Sequence, residues 1–310
     1  MKIHCIQAGR LVGNKITLRE SGWSSVLRRP ERYEFPSYVY VIEHPDGHIV
    51  IDTGMNTKGW SVPLPLKRLF PSPLIEMEKE EIGPRMEYNG LNPEDAQLVI
   101  LTHLDVDHIG GIRWFPNAEV LVHRPEYDFV NTILGKIRYQ PELWSTEFEP
   151  TLYDMDPLPY GPFPQSKVLS ENKEIRLVPL PGHTHGQIGV ILQNKKFDLF
   201  FSGDQTLRQE WFIEDLEKGQ PSGLLLATLP KKLVETTRRI ESFLNNSPAV
   251  LLPAHDTDAP ERLSKMEPIK LYSSLRRIIY DRIIPDFRLY LLQTYAGNSL
   301  FFSGIIYIEC

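Results

Sequence analysis

The sequence predicts an α/β fold, an αβ/βα four-layer sandwich in which two mixed sheets lie face to face with helices outside. Three observations predict it. Short apolar runs of strand composition, such as Leu98-Val99-Ile100-Leu101, lead directly into clusters of His and Asp. An amphipathic stretch over 231–245 directs Leu233, Ile240, Phe243 and Leu244 to one side, as a helix covering a sheet would. The second half of the chain also echoes the first, each half giving paired strands that end in an aspartate, Asp52 and Asp204.

In order along the chain, residues 3–8 and 38–42 have strand composition, and Tyr38–Ile42 joins His48–Asp52 through Pro45-Asp46-Gly47, a hairpin turn. His44 and His48 flank this turn and are read as solvated. Asp52 closes a strand before Thr53-Gly54, where the missing side chain lets backbone come close. Residues 56–90 carry several prolines and no sustained periodicity, and Trp60 and Phe70 are candidates to line a pocket. Asn92-Pro93 reads as an N-cap with proline at the first helical position. Gly110-Gly111 allow close packing, 118–122 is a strand, and His123 after it is structural. The stretch 135–166, with Tyr139, Trp144, Phe148, Tyr153, Tyr160 and Phe163, reads as a second covering loop. Ile175–Val178 and Phe197–Phe201 read as paired strands, and Ala249–Leu252 as another. Residues 261–310 form a C-terminal extension of unknown role, with Arg276, Arg277, Arg282 and Arg288 and a closing apolar run, Leu300–Ile308, too short to span a bilayer. That run is read as a packed strand or as a subunit contact of a homodimer.

The chemistry concentrates in Thr102-His103-Leu104-Asp105-Val106-Asp107-His108, where four metal-competent side chains fall within six residues. Strand alternation puts His103, Asp105 and Asp107 on one side of an extended segment, with His108 turned toward them where the chain starts to coil. A helix cap needs one carboxylate and does not explain three further ligands. Ligands need not be near in sequence, and further candidates follow other apolar runs: His183 in Pro181–Gly186, Asp204 after Phe201-Ser202-Gly203, and His255 after Leu252-Pro253-Ala254.

With these motifs the chain resembles the metallo-β-lactamase superfamily, whose usual first motif is His-x-His-x-Asp-His. The resemblance covers roughly residues 1–260, a hydrolase domain, and includes five motifs in the expected order. Within the superfamily it is most similar to the N-acyl homoserine lactonases, on the segments Ile6–Arg10, Ile49–Met55 and Val122–Tyr127. The resemblance implies two divalent metal ions, zinc first, with His103, Asp105 and His183 on one, Asp107, His108 and His255 on the other, and Asp204 bridging. Asp107 would also be catalytic, orienting a metal-bridging hydroxide that opens a lactone. Asp52 would fix a histidine through its other ring nitrogen, and His185 matches no ligand.

Two departures mark the site. Asp105 stands where the family has its second histidine, which would add a negative charge, soften the Lewis acidity of the ions, and shift preference toward iron, manganese or cobalt. Leu207 stands where related lactonases often carry a tyrosine, so that Tyr33 or Tyr38 takes over or the substrate differs. The other readings are a thioesterase, phosphotriesterase or β-lactam hydrolase on the same fold, and a di-iron redox protein, for which no phosphate-binding loop of a flavin domain is evident.

Composition bounds the rest. The chain has 310 residues, 41% hydrophobic and 24% charged, enough for a sizeable core. A net charge of −6 argues against nucleic acid as a partner, and a small molecule with an acyl chain is the partner that the resemblance implies. Cys5 and Cys310 are the only cysteines, which excludes a disulfide framework and suits the cytoplasm. The N-terminus has no long apolar stretch and no run reaches membrane-spanning length, so no membrane span is expected.

Overall fold

The computed structural model describes residues 2–14, 32–58, 72–169, 174–218 and 226–271. Trp60, Phe70 and residues 272–310 of the C-terminal extension, with Arg276, Arg277, Arg282, Arg288 and the closing apolar run, lie outside the described residues.

Strands β1 (Lys2–Asn14), β2 (Arg32–Glu43), β3 (His48–Ile51), β4 (Ser72–Leu74), β5 (Ala96–Ile100), β6 (Glu119–His123) and β7 (Pro150–Tyr153) form one sheet in the order β4-β1-β2-β3-β5-β6-β7. The hairpins are antiparallel, and β3, β5, β6 and β7 run parallel. The second sheet takes β8 (Lys167–Val168), β9 (Ile175–Pro179), β10 (Ile188–Leu192), β11 (Asp198–Gly203) and β12 (Ala249–Pro253) in the order β12-β11-β10-β9-β8. The expected direct pairing of 175–178 with 197–201 is therefore corrected: β10 lies between them and pairs with both. An all-apolar run with no alternation, Ile188-Gly189-Val190-Ile191-Leu192, carries no period to identify it as a strand.

Strand alternation splits the core in two. Tyr40, Ile42, Ile49, Ile51, Ile100 and Leu121 point between the sheets and meet Leu177, Ile188, Val190, Phe201, Val250 and Leu252. Their neighbours Val39, Val41, Val50, Val99, Val120 and Val122 point the other way, onto Ile82 and Met86 of α1 (Ile82–Tyr88), Ile109 of α2 (Val106–Ile109), Val130 of α3 (Arg124–Val130) and Tyr139 of α4 (Ile133–Tyr139). The chain continues through α5 (Gln209–Lys218). On the outer face of the second sheet Phe200 meets Phe243 of α6 (Pro230–Asn246) at 5.7 Å between ring centroids. The layers thus run helix, sheet, sheet, helix, as expected. Leu233, Ile240, Phe243 and Leu244 are the buried apolar side of α6.

The stretch 135–166 packs more than it covers, because Tyr139, Trp144, Tyr153 and Phe163 are buried. Contacts divide the chain into Met1–Ile269 and Lys270–Cys310, and the first unit takes in α7 (Ala259–Lys265), with Ile269 N donating to Ala249 O at 3.0 Å. Among the described residues no helix is long and apolar enough to cross a membrane.

Candidate metal centre

The parallel strand ends place the polar residues. After β5 the chain bends at Thr102, is extended at Asp105 and then coils into α2, so Asp107 and His108 sit in a helical turn and the expected alternation of His103, Asp105 and Asp107 along one extended segment does not hold. This turn is clamped from three sides. Thr53 N and Oγ1 both donate to His108 O, at 2.6 and 2.9 Å, Ser37 Oγ donates to Asp107 O at 2.8 Å, and Asn56 Nδ2 donates to Gly110 O at 2.8 Å. A Cβ on Gly111 would come within 2.2 Å of Thr53 O, which is the close packing the glycine pair was expected to serve. Gly182, at φ +155°, turns the chain into His183, and Gly203, at φ +52°, does so before Asp204.

Two groups of candidate ligands result. Asp107, His108, Asp204 and His255 offer atoms that all lie within 4.8 Å of one another, and His103, His183 and Asp204 do the same. Asp204 belongs to both: Oδ1 is 3.2 Å from His108 Nε2 and 3.1 Å from His255 Nε2, and Oδ2 is 3.6 Å from His183 Nε2. All of these side chains are buried.

The outward ring nitrogens are held by the protein. Asp52, in the left-handed region at φ 59°, accepts from Thr102 N at 2.7 Å, from Thr102 Oγ1 at 2.8 Å and from His108 Nδ1 at 2.8 Å. With its hydroxyl hydrogen committed to Asp52, Thr102 Oγ1 accepts from His103 Nδ1 at 3.0 Å. His255 Nδ1 donates to Pro36 O at 2.8 Å. The inward atoms His103 Nε2, His108 Nε2 and Asp204 Oδ1 are buried with no hydrogen-bond partner. Buried polar atoms are normally satisfied, and convergent imidazole nitrogens and carboxylate oxygens are donors that a divalent cation would satisfy, so the residues fit an ion pair's requirements.

Electrostatics agree with the geometry. Burial opposes charge on His255, but the Asp204 and Asp107 carboxylates outweigh it and push its pKa up to about 10. Burial likewise would raise the Asp204 carboxyl, yet His255 and His108 hold it well below the usual carboxylate range. His183 goes the other way, lowered by burial and by Arg138.

Arg138 was not anticipated. Its Nε donates to Asp105 Oδ1 at 2.6 Å and its Nη2 to Oδ2 at 2.5 Å, a bidentate fork. Burial would raise the Asp105 carboxyl, but Arg138, His103 and His183 hold it well below the usual range. The extra negative charge expected from Asp105 is thus cancelled by a neighbouring guanidinium, so the expected softening of the site has lost its cause. The only sequence signal is that an acid in a histidine's place calls for a cation, and with 34 Lys and Arg in the chain that singles out none. Glu126 was also missed: buried, it accepts from Leu104 N at 3.1 Å, Tyr139 Oη at 2.6 Å and Gly186 N at 2.8 Å, tying the His103 segment to the His183 segment.

Other expectations sort simply. His123 is buried, with Nδ1 donating to Gly186 O at 2.8 Å, a structural role. His185 stacks on Phe129 at 3.8 Å between centroids and joins neither ligand group. Leu207 and Tyr33 both pack against the cluster of Leu11, Phe35, Met55 and Trp211, whereas Tyr38 packs in the core between the sheets.

Comparison with known proteins gives a consistent picture. The family model described as the metallo-beta-lactamase superfamily matches residues 32–255. A probable metallo-hydrolase of Mycobacterium tuberculosis is 30% identical over 159 residues, 49% of this chain, and the match spans about half, 51%, of that relative's own length. An N-acyl homoserine lactonase of a Bacillus species is 26% identical over 256 residues, 77% of this chain and 89% of the relative. Among solved structures, a quorum-quenching N-acyl homoserine lactone lactonase aligns with a TM-score of 0.63 at 19% identity, covering 83% of this chain and 92% of that one. AidC, described as a dizinc quorum-quenching lactonase, aligns with a TM-score of 0.61 at 16% identity, covering 83% and 88%. At these identities the solved structures speak for the fold.

Proposed function

Because the chain belongs to the metallo-β-lactamase superfamily, we propose that it is a metal-dependent hydrolase that opens the lactone ring of N-acyl homoserine lactones. The observation that carries this reading is the pair of buried donor groups sharing Asp204, with inward atoms left unsatisfied. In this reading His103 and His183, with Asp105 beside them, would hold one divalent ion, Asp107, His108 and His255 would hold the other, and Asp204, which belongs to both groups, would serve both. Zinc is the first ion to test, with iron, manganese and cobalt as alternatives. When bound, such ions bring the pKa of water from about 15.7 to about 7 and polarise a carbonyl.

The chain's own residues do the rest. Asp107 accepts a hydrogen bond from the attacking water and orients it toward the lactone carbonyl. Asp52 and Pro36 O keep His108 and His255 turned inward through their Nδ1 atoms. The partly buried Leu207, Tyr33 and Leu226 pack on one apolar cluster suited to an acyl chain, and the hydroxyl missing at Leu207 has a candidate substitute in Tyr33 on the same cluster. Acyl burial there should raise kcat/KM by at most about 0.8 kcal/mol, roughly fourfold, per methylene. Cytoplasmic action and a homodimer belong to the same reading, resting on the two-cysteine composition and the closing apolar run.

Elemental analysis of metal-replete protein should give two ions per chain, and proton release from medium- and long-chain homoserine lactones should exceed that of chelator-treated protein. Asp107→Ala should lose one ion and nearly all turnover. If lactones are opened no faster than by the stripped control while a thioester or phosphotriester is turned over, the chain is a hydrolase of another specificity.

A further inference from the structure

The helix α4 is capped by Thr132, whose Oγ1 accepts from Gly135 N at 3.0 Å, and delivers Arg138 in its last turn. Beyond the fork on Asp105, Arg138 Nη1 donates to Leu226 O at 2.9 Å, and Nη2 lies 3.0 Å from His183 Nε2. Asp105 Oδ2 is 3.0 Å from His183 Nε2 and 3.4 Å from His103 Nε2. Oδ2 therefore meets both histidines and Arg138 Nη2, while Oδ1 takes Arg138 Nε. A carboxylate oxygen has lone pairs enough to accept from an arginine and still donate to a cation.

We propose that Asp105 and Arg138 act as one unit in place of the family's second histidine: Asp105 Oδ2 supplies the third protein donor beside His103 and His183, and Arg138 cancels its charge and fixes its orientation. The proposal rests on the reading that these histidines hold an ion. A histidine is a neutral donor, and a carboxylate locked to a guanidinium is also neutral in sum, so the net charge of the whole centre matches that of a site with histidine at this position. Arg138 is a positioning residue. Its fork is needed as well as its charge, since lysine offers a point charge without the planar bidentate geometry.

This unit makes the two residues interdependent in a way that a plain ligand would not be. Asp105→His alone should weaken the site, because it leaves the Arg138 guanidinium facing the ions with no carboxylate to offset it. Removing the guanidinium at the same time should restore it.

The test is equilibrium competition for zinc against a chromophoric chelator, on the full chain, for the parent, Asp105→His, Arg138→Lys, and Asp105→His combined with Arg138→Met. A second version of the pair, with Arg138→Gln, guards against a folding failure of the first. Asp105→His should bind its weaker zinc about 10–100-fold less tightly than the paired variants, as loss of a supporting partner does at metal sites. The paired variants should hold two ions as the parent does, and Arg138→Lys should fall between. Equal affinity of Asp105→His and the paired variants, with a parent that binds two ions, overturns this proposal and leaves the metal reading standing. A parent that binds no zinc, iron, manganese or cobalt overturns both.

Discussion

His108 and His255 are each pinned by the ring nitrogen that faces away from the centre, so that in the ion-free protein their Nε2 atoms face the Asp204 carboxylate. His255, ordinarily near 6.5, is pushed to about 10 by Asp204 and Asp107 against the effect of burial. A raised folded-state pKa stabilises fully below 6.5 and is lost as pH rises through about 10. Asp204, ordinarily near 3.8, is held well below it, so its contribution is present above 3.8 and lost as pH falls. The chelator-treated protein should therefore be most stable between these two ordinary values, 3.8 and 6.5. Its Tm should fall between about pH 6.5 and about pH 9, and a Tm that stays flat or rises over that range would contradict the pairing. At this scale the sequence named every residue that the structure gathers into the two candidate groups, and Asp105 besides, which joins neither, because each follows an apolar run and the spacing of His103 to His108 has few other uses. It did not disclose Arg138 or Glu126, whose partners are 33 and 22 residues distant on separate elements and are matched only by the folded chain.

The elements that present the ligands are fixed by backbone contacts as much as by side chains. Gly111→Ala would drive a Cβ against the carbonyl of Thr53, the residue that clamps His108 O. It should cost about 1–3 kcal/mol and reduce the ion content, since the displaced turn carries Asp107 and His108. Phe243→Ala, on the far side of the second sheet, should cost more, about 3–5 kcal/mol, and leave the ion content of the surviving folded protein unchanged. Urea melts with parallel metal analysis separate the two, and a reversed pattern would mean that the centre is held by something other than the α2 turn. The helix α6 was legible because its buried residues recur at helical spacing, and β5 and β12 because apolar runs lead into polar motifs. The strand β10 was not, since a strand buried on both faces has no polar side to give it a period. The stretch around Tyr139 and Trp144 read as a cover because prolines and aromatics suggest a loop, while the apolar cluster behind the first sheet is what those rings fill.

At the scale of the whole molecule, both sheets and every candidate ligand lie within Met1–Ile269. A chain ending at Ile269 should fold and bind the same number of ions as the full chain. Loss of ion binding on truncation, with the circular dichroism of the sheets retained, would assign the later residues a part in the centre. Among the backbone contacts through which the two halves of the sandwich meet beside the centre is Ile188 N donating to Thr102 O at 2.9 Å. His103, Asp107 and His108 come from the first sheet's side of that contact, and His183, Asp204 and His255 from the second's. An ion held by both sides is a rivet between the halves, and any breathing motion that separates them must break this hydrogen bond and release the ion together. The Ile188 amide is therefore a gauge of occupancy: its hydrogen exchange should slow on loading far more than that of Val190 in the middle of the same strand, so that a single backbone proton reports how often the sandwich opens.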